Sequence, residues 1–238
     1  MVPFSFAGQE WVLSDQRALY WPAERALLFA DLHLEKASFF ARSGQMLPPY
    51  DSRETLERVA QAIRQTAARR VFCLGDNFHD AAGVERLEPH AAGMLDALMR
   101  ATDWVWITGN HDTDLSPPGG TTVAETAVSG IALRHQAMPG AIGPELSGHF
   151  HPRLRVTVRG RTVVRPCFVK ASAANAPPDA SEAGQDCRLI LPSFGALTGG
   201  MDASHPAIRD AVRPAERIEA LVSSSGRLAC FPLHPTQA

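Results

Sequence analysis

The chain has few cysteines, no excess of charge and no long apolar run. Cys73, Cys167, Cys187 and Cys230 are its four cysteines, and no two of them form a Cys-x-x-Cys pair. A dense disulfide framework is therefore excluded, and a reducing compartment fits. Cys73 lies in an apolar run and reads as a buried packing thiol. Formal net charge is −2, so the global basic field of many nucleic-acid binders is missing. A local basic groove remains compatible with that balance. No apolar stretch approaches the roughly 20 residues that a membrane span needs. The opening MVPFSFAGQEWVL has no positive start and no sustained apolar centre, so no signal peptide is expected. A soluble, cytoplasmic protein with no membrane partner is the expectation. No internal repeat is visible. With 45% hydrophobic residues in 238, the chain can bury a full core, and one domain over 1–238 is the favoured reading.

The first half alternates strand and helix, the pattern of an α/β domain with parallel strands and helical crossovers. Arg25 to Ala30 reads as a buried strand ending at Asp31. Asp51 to Arg70 reads as a helix, with Asp51 as cap and Glu54 as its reciprocal partner. Leu56, Val59, Ala60 and Ile63 form its apolar face. Arg70 to Leu74 is a second strand. Glu88 to Ala101 is a second helix, with Met94, Leu95, Leu98 and Met99 facing inward. Asp103 to Thr108 is a third strand, in which core packing is expected for at least one of Trp104 and Trp106. The second half changes style. Ile131 to Arg134, Glu145 to Ser147, Arg153 to Val158, Thr162 to Arg165 and Arg188 to Leu191 are short strands bounded by Gly or Pro. Gly160 centres a hairpin turn. A second, mainly antiparallel sheet follows from this. Residues 171–185, rich in Ala, Ser and Pro, read as a mobile surface loop.

Five segments carry the chemistry: Asp31-Leu-His33, Gly75-Asp76, Gly109-Asn110-His111-Asp112, His135, and Gly148-His149-Phe-His151. Four of them directly follow a predicted strand, and open α/β sheets place ligands at those carboxyl ends. Asp31 and His33, in an extended loop, could reach one ion together. His149 and His151 have the same spacing and in a strand would share one face. Two ions about 3.5–4 Å apart need a bridging carboxylate, and Asp76 is the natural one. The assignment puts Asp31, His33, Asp76 and His151 on one ion and Asp76, Asn110, His135 and His149 on the other. Mixed N and O donors without thiolate suit Mn²⁺, Fe or Zn²⁺. Mn²⁺ is the first choice, from its availability in the cytoplasm. A water bridging two such ions loses a proton near neutral pH, and the hydroxide attacks phosphorus in line. His111, beside the ligand Asn110 but unable to share its direction, is free to serve as general acid, with Asp112 holding its ring.

The ordered series D-x-H, GD-x-x-H, GNHD, a lone His and GHxH resembles the calcineurin-like metallophosphoesterase superfamily. Each block is weak alone, whereas the set from Asp31 to His151 is specific. The resemblance implies two β-sheets packed face to face and flanked by helices. The segments DLHLEKAS, GDNFHD, SGHFHPR, RPCFV and LPSFGALTGG extend it to about Gly200. Over that length the chain is similar to the ligase-associated DNA-damage-response endonucleases of the PdeM type. That likeness implies a manganese-dependent phosphodiesterase and DNA endonuclease acting in DNA repair. Its implied substrate is single-stranded or damaged DNA, and its implied companions are a ligase, a helicase and an exonuclease. A phosphomonoesterase or a nucleotide or cyclic-nucleotide phosphodiesterase of the same superfamily is the alternative. A non-catalytic scaffold for a repair complex is a third reading, and it would predict decay of the ligand set. All seven ligand positions and His111 carry competent side chains.

Other residues divide between roles. His79 could contact the site or the substrate, or cap the following helix. Lys36 could steer a phosphate or stand solvated. Arg165, with Arg153 and Arg155, could line a groove for a nucleic-acid backbone; a charged sheet face is the stronger reading for the latter two. Phe150 reads as core. His90, His205 and His234 read as ordinary surface or hydrogen-bonded histidines. The GGMD segment reads as a simple turn.

Overall fold

The structure, a computed structural model, describes residues 1–14, 16–112, 116–172, 187–224 and 226–233. β1 (Val2–Phe6), β2 (Gln9–Leu13) and β3 (Leu19–Trp21) form an antiparallel meander that continues antiparallel into β4 (Ala26–Phe29). Then follow α1 (Lys36–Ala41), α2 (Asp51–Thr66), β5 (Arg70–Leu74), α3 (Gly83–Arg86), α4 (Pro89–Ala101), β6 (Asp103–Ile107) and β7 (Thr121–Val123). From β4 onward each new strand joins in parallel, and the order along the sheet is the order in the chain. The second half supplies β8 (Glu125–Val128), β9 (Ile131–Arg134), β10 (Glu145–Ser147), β11 (Pro152–Val158), β12 (Arg161–Pro166), β13 (Phe168–Ser172), β14 (Arg188–Ile190) and β15 (Met201–Asp202). It ends with α5 (Pro206–Ala211), β16 (Arg217–Ser224) and β17 (Arg227–Pro232). Its large sheet has the order β17-β16-β13-β14-β10-β9-β8, in which β9–β10 and β10–β14 run parallel and the other described pairs antiparallel.

Side-chain alternation stacks these sheets. Leu28, Phe72, Leu74 and Ile107 of the first sheet meet Leu133, Leu146, Leu189 and Leu221 of the second in one core. Leu27, Phe29, Val71, Cys73, Trp104 and Trp106 point the other way and pack under Leu56 and Val59 of α2 and Leu95 of α4. A third core holds Val169, Ile190 and Ala220 against Ile208 and Ala211 of α5. The result is helix, sheet, sheet, helix, as expected. The central strands read as unbroken apolar runs because both their faces are covered. Both Trp104 and Trp106 belong to the core, as does Phe150.

Several local expectations change. α2 stops at Thr66, not Arg70: Ala67 takes a left-handed φ of 51°, and the N–H groups of Arg69 and Arg70 both donate to the Arg25 carbonyl. Asp51 does not cap its own helix. Its carboxylate accepts from Ala37 N–H at 3.1 Å, so it satisfies an open donor at the start of α1 instead. The neighbouring Ser52 hydroxyl accepts from Glu35 N–H and donates to Glu35 Oε1. α1 is thus tied to α2 from outside. The Gly160 hairpin forms, with Arg159 and Gly160 both at positive φ (50° and 74°). It builds a separate small sheet, β12-β11-β15, in which the GGMD segment supplies a short strand rather than only a turn. β13 takes in Ala171 and Ser172, the first residues of the segment read as a loop; 173–185 and His234 lie outside the described residues. The N-terminal meander was not read from the sequence, although its buried Trp11, Leu13, Leu19 and Trp21 carry a period-two signal.

Candidate metal centre

Loops at the carboxyl ends of β4, β5, β6, β9 and β10 meet at one edge of the sandwich. The first two are zipped together by backbone bonds: Asp31 N–H to Gly75 O, His33 N–H to Asp76 O, Leu34 N–H to Asn77 O and His79 N–H back to Leu34 O. On the far side Phe194 and Gly195 donate to the carbonyls of Ala30 and Asp31. The loop carrying Asp31 and His33 is therefore fixed from both flanks. Close approach demands glycine. A Cβ on Gly75 would collide with the His135 ring, and one on Gly109 with Asp76. At Gly148 it would lie 2.7 Å from Asp31 Oδ2.

The backbone here is strained. Asp31, His33, Asp76, His149 and His151 all have φ between 44° and 71°, a region that costs a non-glycine residue on the order of 1–3 kcal/mol and clusters at functional sites. This revises the expected geometry. Asp31 and His33 are not in an extended loop, nor are His149 and His151 in a strand. The members of the second pair fall into different donor groups, those of the first pair into one.

Among the described residues two groups of donor atoms share Asp76, and a third joins His33, His79 and His111. Asp31, His33, Asp76 and His151 offer atoms within 4.8 Å of one another, as do Asp76, His135 and His149. Asp76 belongs to both. In the first group His33 Nε2 lies 3.3 Å from His151 Nε2 and 3.7 Å from Asp76 Oδ2, and His151 Nε2 lies 3.4 Å from Asp31 Oδ1. In the second, Asn110 Oδ1 stands 2.9 Å from His135 Nε2 and 3.0 Å from His149 Nδ1, those two nitrogens are 3.1 Å apart, and His135 Nε2 is 3.4 Å from Asp76 Oδ1. Atoms held about 2.1 Å from one centre are about 3.0–3.4 Å apart at octahedral and tetrahedral angles. The donor set fits a divalent cation in each group that shares Asp76. The seven residues assigned to ions from the sequence lie together around Asp76.

Tautomer and charge support the same use. His135 Nδ1 donates to Leu74 O at 3.0 Å, leaving the Nε2 lone pair for the centre. Burial first, then His151, Lys36, His111 and His79, push the His33 pKa down to about 2. Burial and then His135 lower that of His149, against Asp31 and Asp76. Neutral imidazoles are what metal ligation requires.

His111 stands at the rim, its Nδ1 donating to His79 O at 2.9 Å and its Nε2 4.0 Å from Asp76 Oδ2. Asp112 does not hold this ring. It is buried, and its oxygens accept from the N–H groups of Asn77 and Gly109, both at 2.6 Å. Asp112 thus braces the two loops that present Asp76 and Asn110. Burial raises its pKa despite those bonds. Asp112→Ala leaves two inward-facing N–H groups unpaired and is expected to cost about 2–4 kcal/mol, read by urea unfolding. A loss below about 0.5 kcal/mol would contradict the bracing role.

His79 sits behind His33, with Nδ1 to Nδ1 3.3 Å, and its ring stacks on His111 at 5.0 Å. It does not cap α3, which has no side-chain cap. Phe39 packs edge-on against it at 4.7 Å. Lys36, half-buried at the start of α1, is near enough to depress the pKa values of both His33 and His79. Arg165 lies on the other flank, in a cavity it shares with His151. His90 is exposed on α4, and His205 caps α5 by accepting from Ala207 N–H. The sequence reading missed Asn77, whose amide donates to Ile107 O, though it stands inside the GDNFHD motif. It also missed Arg17, which no local signal marks.

A family model described as calcineurin-like phosphoesterase matches residues 24–152, just over half of the chain. No curated protein matches the chain. Among solved structures, the Pseudomonas putida nuclease MPE is similar over 97% of this chain and 98% of its own, with 28% identity and a TM-score of 0.67. Yfce, a phosphoesterase from E. coli, aligns over 88% of this chain and 99% of its own at 13% identity, with a TM-score of 0.38.

Proposed function

This chain belongs to the calcineurin-like phosphoesterase family, and from that premise we propose that it is a two-metal phosphodiesterase that cuts DNA internally. The observation that carries the two-metal part is the sharing of Asp76 between two donor groups. The DNA part is supported by similarity, along nearly the whole chain, to a protein described as a nuclease. The ligands are Asp31, His33, Asp76 and His151 on one side and Asp76, Asn110, His135 and His149 on the other. Manganese is the proposed metal, on the mixed imidazole and carboxylate donor set. Bound divalent ions would supply an activated water and offset the charge on the phosphate oxygens.

The chain's own residues do the rest. Asp31 and Asp76 hold position through backbone donors: His149 N–H at 3.0 Å to Asp31 and His111 N–H at 3.0 Å to Asp76. His111, pinned at Nδ1 by a carbonyl, keeps Nε2 free to pass a proton to the departing oxygen. Lys36 and His79 face the substrate on one flank and Arg165 on the other. A repair setting in the cytoplasm, with ligase, helicase and exonuclease nearby, is part of the same proposal and rests on the motifs shared with ligase-associated endonucleases. Among the described residues no helix is long and apolar enough to cross a membrane.

The test is a closed circle of single-stranded DNA incubated with chelated protein to which single divalent metals are returned. Conversion of the circle to a linear form with manganese, and none with chelator alone, is the expected result. Hydrolysis of bis(4-nitrophenyl) phosphate with an intact circle would instead indicate a small-ester phosphodiesterase.

A further inference from the structure

Beside the centre lies a cavity of about 650 Å³ lined by Arg17, His151, Arg153, Arg165, Ser193 and Thr198 among others. That volume is in the range of ligand sites. None of its described lining residues carries a carboxylate, and three of them are arginines. In a chain of net charge −2 this is a local concentration of positive charge at the edge of a site that handles anions.

The arginines come from two distant parts of the chain, Arg17 from the segment between β2 and β3 and the other two from the β11–β12 hairpin, and are built in. Arg17 has a left-handed backbone (φ 75°) and donates to Ser193 O at 2.8 Å, which fixes its head in the wall. Burial, then the charges of Arg58 and Arg153, bring its pKa down to about 10, with Glu54 opposing. Like charges are crowded here, a condition that a bound anion relieves. Arg153 threads over Gly200: a Cβ at that glycine would lie 2.5 Å from Arg153 Cδ and 2.6 Å from its Cγ. Its Nε is buried and without a hydrogen-bond partner. Arg165 is exposed on β12, where it pairs with Leu154, one register position from the pair of Arg153 with Pro166. Arg155 points elsewhere, 3.7 Å from Asp202.

Of the residues in the two donor groups, His151 alone lines this cavity. The phosphate that reacts must lie between the groups, at Asp76. What the cavity receives is therefore a second phosphate on the same molecule. We infer that Arg17, Arg153 and Arg165 form a subsite for the backbone of the DNA strand, next to the bond that is cut. This inference rests on the nuclease reading. Guanidinium groups suit the role because their planar donor forks match phosphate oxygens in pairs and keep their charge at neutral pH. Backbone contacts set the register of a strand without reading its sequence.

The experiment measures binding of the manganese-loaded full chain to a phosphorothioate single-stranded oligonucleotide, which resists cutting, by fluorescence anisotropy over a range of salt. Arg165→Gln and Arg153→Gln should each weaken binding about tenfold, the size of one lost charge-assisted hydrogen bond. Each should lower the slope of log affinity against log salt by about 0.7, one single-strand phosphate contact. Nicking of circular DNA should fall more than hydrolysis of bis(4-nitrophenyl) phosphate. Arg64→Gln, exposed on α2, is the control for bulk charge and should bind like wild type. If Arg153→Gln unfolds, exposed Arg165 decides the matter. Wild type that nicks the circle, with both variants keeping its affinity and salt slope, would overturn the subsite alone. Wild type that hydrolyses the small diester but neither binds nor nicks DNA would overturn the nuclease reading and the subsite together.

Discussion

Asp76→Ala is expected to lower metal-dependent hydrolysis by a factor on the order of 10³ or more, with the core intact. Asp76 is the residue that the two donor groups have in common, so its loss removes a ligand from both proposed ions at once. The charge clamp on the reacting phosphate then fails at both ends. Its carboxylate lies between His33 and His135 rather than in an apolar core, so the substitution leaves no hydrophobic cavity of the kind that destabilises. Retention of fold is checked by circular dichroism and thermal unfolding. Metal content is measured in parallel by mass spectrometry. Wild type should hold about two manganese ions per chain. His149→Ala removes a half-buried donor from one group and should hold about one, while Asp76→Ala should hold fewer. Turnover of Asp76→Ala within about tenfold of wild type would remove the basis for a shared carboxylate.

His111→Ala is expected to act selectively. On a diester whose leaving group is an alkoxide, as in DNA, the rate should fall by about 10²–10⁴, the range for loss of a positioned acid. On 4-nitrophenyl esters, whose leaving group departs without a proton, the fall should be less than about tenfold. The geometry makes the prediction sharp. The His79 carbonyl occupies Nδ1 at 2.9 Å, so Nε2 alone is available for transfer, and this ring belongs to neither group that shares Asp76. The comparison with Asp112 separates two accounts of the same segment. If Asp112 oriented the imidazole, its replacement would show the same leaving-group dependence. Since Asp112 instead accepts from Asn77 and Gly109 N–H, its loss should affect stability and both substrates alike. Equal losses for His111→Ala on both ester types would end its assignment as the acid.

Much of this site was legible before the fold was known, and the reason is chemical. Histidine, aspartate and asparagine at strand ends, next to glycine, form a pattern that packing alone does not call for. The strands themselves were legible where the apolar runs were long, as at Arg70–Leu74. The meander β1 to β3 escaped because its strands alternate buried and exposed residues and so show no unbroken apolar run. The helix cap at Asp51 was misread for a different reason. A carboxylate at a helix start can serve its own helix or a neighbour's, and only the packing of α1 on α2 chose Ala37 N–H. Asp112 was misplaced likewise, since adjacency in the chain to His111 suggested a contact that the bend of the loop rules out.

The sequence by itself determined the types and the order of the candidate donors, because these follow from side-chain chemistry and from spacing along a strand–loop pattern. It also determined that both faces of the central strands are covered, since uninterrupted apolar runs cannot face water. Tertiary structure decided how the donors are shared. His149 and His151 fall in different donor groups, and Asp76 stands in two of them, its loop zipped to that of Asp31. It also decided that Arg17 meets Arg153 and Arg165. Such meetings depend on sheet register and loop packing between segments more than a hundred residues apart, and no local pattern encodes them.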